Sequence, residues 1–146
     1  IHADSVDTVI KRLETPPIEL SPTLLNVLDC VCIMTHAIVN KQETRKLREI
    51  VEIINVDPDG VAQTNQAFMW NAANDQFYSK GNSKIFEKIG KRYGLNLQEL
   101  NNEFRIRVQL IYAMYAKNII KFQEVQDVIN EYYKKPYEVM QKFGIQ

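Results

Sequence analysis

Ten consecutive residues, Cys30-Val31-Cys32-Ile33-Met34-Thr35-His36-Ala37-Ile38-Val39, contain no Lys, Arg, Asp, Glu, Gly or Pro. A short, almost unbroken β-branched and apolar run of this length reads as a sheet strand covered on both faces. The run is expected to be an interior sheet strand, and where its neighbours are missing it would leave an unpaired edge and an uncovered face. The run is also well short of the roughly 20 residues that a membrane-crossing helix needs. The first residues show no basic segment followed by an apolar core.

At 146 residues with 45% hydrophobic content, the chain is the size of one ordinary domain. Eighteen Lys and Arg balance eighteen Asp and Glu. No global field then favours nucleic acid or an anionic membrane, and no aromatic residues interleave with basic ones as a nucleic-acid surface requires. Cys30 and Cys32 sit two apart, where strand geometry puts both on one face without the approach a disulfide needs. They read as small buried hydrophobes in a reducing compartment.

Periodicity and turn chemistry give the remaining elements. Asp4 is placed to cap a helix whose Val6, Val9, Ile10 and Leu13 share one face, and Pro16-Pro17 ends it. Ser21-Pro22 opens a short helix through Leu24, Leu25 and Leu28, stopping near Asp29. Residues 43–56 fit either a helical stripe or a strand, and the turn Asp57-Pro58-Asp59-Gly60 favours a strand and hairpin. A further strand over 61–70 carries Phe68 and Trp70 on one face, and Asn71 to Asp75 turns into the short strand Gln76-Phe77-Tyr78. These strands predict an antiparallel meander. Ser83 or Asn82 then caps a helix that stops at Gly94, and Asn96 with Glu99 forms a capping box for a long helix ending at Asn118. Phe122 to Tyr132 and a last helix after Lys135-Pro136 complete the chain. The expected division is a sheet-bearing region over 1–80 and a helical subdomain over 81–146.

Residues able to do chemistry are sparse. The only Gly-Lys pair, Gly90-Lys91, has Ile85 where a phosphate-binding loop needs its first glycine and Arg92 where it needs a hydroxyl. Asp57 and Asp59 flank a proline in a turn, which is a poor Mg²⁺ site. Cys30, Cys32 and His36 offer three metal-ligand side chains but no fourth. Lys41, Arg45, Lys46 and Arg48 form a basic cluster diluted by Glu43 and Glu49, which reads as a solvated hairpin face. Phe122, Tyr132, Tyr133, Tyr137 and Phe143 carry more apolar area than a short tail needs, and packing on the long helix is the first expectation, with a docking face as the second.

The order of several short motifs resembles one family. His2-Ala3-Asp4-Ser5, Arg12-Leu13 and Pro16-Pro17-Ile18 resemble the histidine box, and the helix after it, of the archaeal type II/IV secretion ATPases, which include the archaellum motor ATPase. Leu28-Asp29 before the apolar strand, Arg45 with Glu49 to Ile53, and Asp57-Pro58 are similar to the next segments of that family. So are Thr64-Asn65, Phe68, Trp70, Asp75 and Phe77, then Leu97 to Glu103, and Tyr132-Tyr133 with Pro136. The likeness covers nearly all of the chain.

That resemblance implies an α/β to α+β fold, the C-terminal fragment of a RecA-like P-loop ATPase domain, with mixed or antiparallel strands over 30–78 followed by a helical subdomain. It implies a chain cut from a longer parent that assembles as a homo-hexamer in the cytoplasm, against a platform protein on the inner face of the cell membrane. ATP and Mg²⁺ are the parent's cofactors. His2 would act there near the γ-phosphate, donating a hydrogen bond or positioning the attacking water; in the chain alone the expectation is a frayed terminal residue. Arg12 is either a group reaching across a subunit boundary or an exposed helical charge. Without a P-loop, this chain alone is expected to hydrolyse no ATP and to hold no metal. The alternative is a non-enzymatic α+β module that binds a partner protein.

Overall fold

The computed structural model describes residues 1–39 and 41–145. They form an α+β protein: helices α1 (Val6–Glu14) and α2 (Pro22–Leu25), strands β1 (Cys30–Val39), β2 (Gln42–Val56), β3 (Ala62–Asn71) and β4 (Gln76–Ser79), then helices α3 (Lys84–Tyr93), α4 (Leu97–Ala116), α5 (Phe122–Lys134) and α6 (Pro136–Phe143). The chain divides into two compact units, Ile1–Lys88 and Ile89–Gln146, the boundary falling inside α3.

In the first unit the four strands form one sheet in the order β1-β2-β3-β4, each pair antiparallel. The meander expected from the turn signals is present, and the ambiguous segment 43–56 is a strand. No parallel pairing occurs among the described strands, so the α+β half of the expected class is the one adopted. Bulges interrupt the register between Ile33 and Met34, Ile50 and Val51, and Ile53 and Asn55. Each inserts an unpaired residue and tightens the local twist.

The ten-residue apolar run lies at the edge of this sheet and not inside it. Along β1, Val31, Ile33, Thr35, Ala37 and Val39 are buried or half-buried, whereas Cys30, Cys32, Met34, His36 and Ile38 are exposed. Only one face is covered, because Val6 and Ile10 of α1 and Leu25 of α2 pack with Ile33, Val51 and Val56 on that side. Continuous hydrophobicity hides the two-residue alternation, since both faces carry apolar side chains.

Local chemistry sets the ends of the elements. The cap of α1 is Ser5, one residue after the expected Asp4: Ser5 Oγ accepts from Thr8 N at 3.2 Å, while Asp4 Oδ1 accepts from the Thr8 hydroxyl at 3.1 Å. Helix α2 stops at Leu25, earlier than expected, where Asn26 leaves the helix to bond β2. Asn26 Nδ2 donates to Val56 O at 3.0 Å and Val56 N donates to Asn26 Oδ1 at 2.7 Å. One amide side chain thereby imitates a strand partner at the far end of β2. The β2–β3 hairpin turns at Asp57, whose Oδ1 accepts from the N–H groups of Asp59 and Val61 at 3.0 and 2.8 Å. Gly60 has φ +78° there, and a Cβ would lie 2.7 Å from the carboxylate oxygens of Glu14. The positive φ favours glycine, whereas the Glu14 carboxylate is the end of a flexible side chain and can give way.

In the second unit α4 opens with the predicted capping box. Glu99 N donates to Asn96 Oδ1 at 2.9 Å and Asn96 N donates to Glu99 Oε2 at 2.8 Å. The core comprises Ile106, Leu110 and Met114 of α4, Val128 and Tyr132 of α5, Val139 of α6 and Ile145. Gly90, the glycine of the Gly-Lys pair, lies within α3. A Cβ there would come within 2.7 Å of Leu95 O and 3.3 Å of Leu100 Cδ1, so this glycine permits close packing rather than phosphate approach.

Candidate functional site

The segment that resembles a histidine box lies along the free edge of β1. Ser5 starts α1, so His2 and Ala3 precede the helix and flank a groove of about 440 Å³. The groove is lined by His2 and Ala3 with Val31, Cys32, Thr35, His36 and Arg45 among its walls, and no Asp or Glu lines it. His36 and Arg45 face each other across the β1–β2 ladder. Sequence spacing alone could not join these three groups, since His2, His36 and Arg45 belong to different elements.

The segment is held by one member of the basic cluster. Arg48 Nη2 donates to the main-chain carbonyl of Asp4, and its Nη2 and Nε donate to Glu49 Oε1 at 2.9 and 3.1 Å. Glu49 in turn accepts from Gln66 Nε2. A hydrogen-bond chain thus runs from β3 through β2 to the His2 segment. The cluster is not one solvated face: Lys46 pairs with Asp75 at 2.8 Å and lies 5.9 Å from the Trp70 ring centre, and Trp70 Nε1 donates to the same Asp75 oxygen at 2.7 Å. These hydrogen bonds from Lys46 and Trp70, with the Lys46 charge, hold the Asp75 carboxyl below its ordinary pKa.

Glu52 is the buried charge of the sheet, 2% exposed. Ser83 Oγ donates to its Oε1, and Lys84 N and Asn65 Nδ2 donate to its Oε2 at 2.7 and 2.8 Å. Burial pushes its pKa upward, but the hydrogen bonds from Ser83, Asn65, Lys84 and Ile85 outweigh that and lower it. The carboxylate caps the start of α3, where orphan N–H groups and the helix dipole favour negative charge. Its role is architectural. With Glu43, Glu49 and Glu52 all on β2, the sequence gives no sign of which glutamate is buried.

Arg12 is exposed in the last turn of α1; its carbonyl accepts from the Thr15 hydroxyl at 3.4 Å, and its side chain makes no hydrogen bond or ion pair among the described residues. Cys30 and Cys32 are exposed free thiols, which corrects their reading as buried hydrophobes and results from the open face of β1. Burial of its immediate surroundings, then the neighbouring Cys32 and Asp29, push the Cys30 thiol pKa up, so it is a poor nucleophile at neutral pH. Among the described residues no group of three His, Cys, Asp or Glu is arranged to hold a metal ion. Asp57 is spent on its own turn, so it offers little to Mg²⁺.

The aromatic C-terminal region divides in two. Tyr132 is buried, with its hydroxyl donating to Glu103 Oε1 at 3.1 Å, and Phe143 packs at the core margin. Phe122, Tyr133 and Tyr137 remain exposed at 81, 66 and 80%. Tyr133 nonetheless meets the long helix, with Arg107 Nη1 donating to its hydroxyl at 3.2 Å and the guanidinium 5.3 Å from its ring centre, so contact with α4 or its core accounts for three of the five rings. No helix among the described residues is long and apolar enough to cross a membrane.

No model of a known protein family matches the chain. It is 29% identical over 134 residues to uncharacterized protein MJ1287 of Methanocaldococcus jannaschii, an alignment covering 90% of this chain and 49% of the relative. With uncharacterized protein MJ0900 of the same organism it is 30% identical over 146 residues, covering 94% and 26%. With uncharacterized protein MJ0781, also of that organism, it is 25% identical over 142 residues, covering 96% and 20%. The chain therefore spans about half or less of the length of these curated relatives, all of them archaeal.

Proposed function

We propose that this chain is the C-terminal part of an archaeal secretion, archaellum or type IV pilus assembly ATPase, a RecA-like motor that couples ATP hydrolysis to protein export or filament assembly. The observation carrying this reading is the groove between the His2 segment and the free edge of β1, with His2 on its wall. An uncharged ten-residue edge strand, with none of the lysines or prolines that protect exposed edges, reads as a strand that another part of a larger core completes. The greater length of the relatives supports the same view.

In the parent, His2 is a hydrogen-bond donor to the terminal phosphoryl oxygens, held by the Arg48 contact to Asp4. ATP supplies the transferable phosphoryl group, and its cradle and Mg²⁺ site belong to residues outside this chain. Arg12, exposed on α1, is a group available to a neighbouring subunit of a homo-hexamer. The motor works in the cytoplasm against a membrane platform protein. The isolated chain turns over no ATP. The test is His2→Ala in the full-length parent: ATP turnover should fall by about 10²–10³, the scale of losing one transition-state donor, while nucleotide binding persists. Unchanged turnover removes the role assigned to His2.

A second reading, a protein-binding module without catalysis, is favoured by the exposed α4 side chains Ile111, Tyr112 and Tyr115, at 62, 71 and 76%. ATP turnover by the full-length parent separates the two, since the module reading requires none.

A further inference from the structure

We propose that His36 and Arg45 complete the oxyanion site to which His2 belongs, so that the β1-edge groove binds phosphoryl oxygens through groups from three separate elements. The inference rests on the motor reading for its biological ligand, a nucleotide phosphate, but the chemistry stands on the groove itself. Among its lining residues the charged or titratable side chains are His2, His36, Arg45 and the Cys32 thiol, and the carboxylate two residues from Arg45 along β2, Glu43, lines an adjoining pocket with His36 and not this groove. Arg45 also differs from Lys46 and Arg48, two other members of its cluster. Lys46 is committed to Asp75 and Arg48 to Asp4 and Glu49, whereas the Arg45 side chain makes no ion pair or hydrogen bond among the described residues and lines the groove.

The geometry suits the ligand. The register pairs His36 with Arg45, so an imidazole stands on the strand beside a planar guanidinium fork, which by itself can bind a phosphate bidentately. His2 adds a donor from the segment before α1. A volume of about 440 Å³ lies within the usual range of ligand sites and has room for more than one phosphoryl group. The Thr35 hydroxyl is turned to His36 O at 3.2 Å and is not counted as a donor to the ligand.

Inorganic pyrophosphate, titrated into the 146-residue chain and followed by the imidazole resonances of its two histidines, tests the proposal. Both His2 and His36 should shift along one saturating curve, and Arg45→Ala should weaken binding at least about fivefold, with Arg45→Lys between it and the wild type. Lys134→Ala, which removes a charge from the second unit, should leave binding unchanged, and circular dichroism should show every variant folded. Equal weakening by Lys134→Ala and Arg45→Ala indicates diffuse charge attraction and overturns the site. So does a shift confined to His2, a result that leaves the motor reading intact. Pyrophosphate binding through His36 and Arg45 that is indifferent to His2→Ala overturns the three-element site and removes the role given to His2. ADP in a parallel titration, bound more tightly than pyrophosphate, supports a nucleotide as the source of the phosphate, and ADP bound no more tightly counts against it.

Discussion

Arg48 donates a side-chain N–H to the main-chain carbonyl of Asp4, joining the middle of β2 to a segment 44 residues earlier in the chain. It ties the His2 segment to the sheet, while the side chains of Asp4 and Ser5 tie the same segment to Thr8 of α1. A guanidinium also bonded to Glu49 has few rotamers left, so it holds the carbonyl in one place.

Replacing Arg48 by alanine should loosen Ala3 to Ser5 with little loss of global stability. The side chain is 41% exposed, and such pairs contribute on the order of 0–1 kcal/mol. Amide hydrogen exchange at Thr8, whose N–H donates to Ser5 Oγ, should accelerate severalfold while exchange at Val51 in the core stays unchanged. Arg48→Lys should be intermediate, since a lysine keeps the charge but loses the fork. Uniform acceleration across the sheet would mean that Arg48 supports the fold and not the His2 segment.

The Glu52 cluster makes an acid-sensitive prediction. Its pKa is lowered in the folded protein, so its stabilising effect is present above the unfolded carboxyl value of about 4.3 and is lost as pH falls through the lower folded value. The difference in urea midpoint between wild type and Glu52→Gln should be largest near about pH 6 and shrink below about pH 4. Glu52→Gln should cost about 1–3 kcal/mol at neutral pH, because an amide cannot accept from Ser83, Asn65 and Lys84 together without presenting a donor to one of them. A difference that grows on acidification would contradict the account.

Asn26→Ala should destabilise the first unit by about 1–3 kcal/mol, since both main-chain polar groups of Val56 lose their partner in a part-buried site. Asn26→Asp should be no better, because a carboxylate would meet the Val56 carbonyl. Chemical denaturation measures both, and a neutral Asn26→Ala would show that water replaces the clip.

Much of this architecture is legible in the sequence because local chemistry and fold agree. The capping box at Asn96 and Glu99 needs only residues three apart, and the Asp57 turn declares itself through its own side chain. Strand β2 is distinguished from a helix by its flanking turn. The features that escape depend on distant partners. That β1 is an edge strand cannot be read from its composition, because Met34 and Ile38 are as apolar as Ile33. Nothing around Glu52 in the sequence names Ser83 and Lys84 as its donors. Asn26 likewise looks like part of a helix, and its partner lies 30 residues away. The groove is hidden for the same reason: spacing groups His36 with its strand neighbours Cys30 and Cys32, while Arg45 comes from β2 and His2 from the segment before α1.

The claim beneath the functional reading is that a nucleotide cradle belongs to the same polypeptide as His2. Sequencing the messenger upstream of the Ile1 codon tests it most directly. An in-frame Gly-x-x-x-x-Gly-Lys-[Ser/Thr] followed by an apolar strand ending in carboxylates is the expected result. A reading frame that lacks such a motif, or a start codon immediately before Ile1, would contradict it.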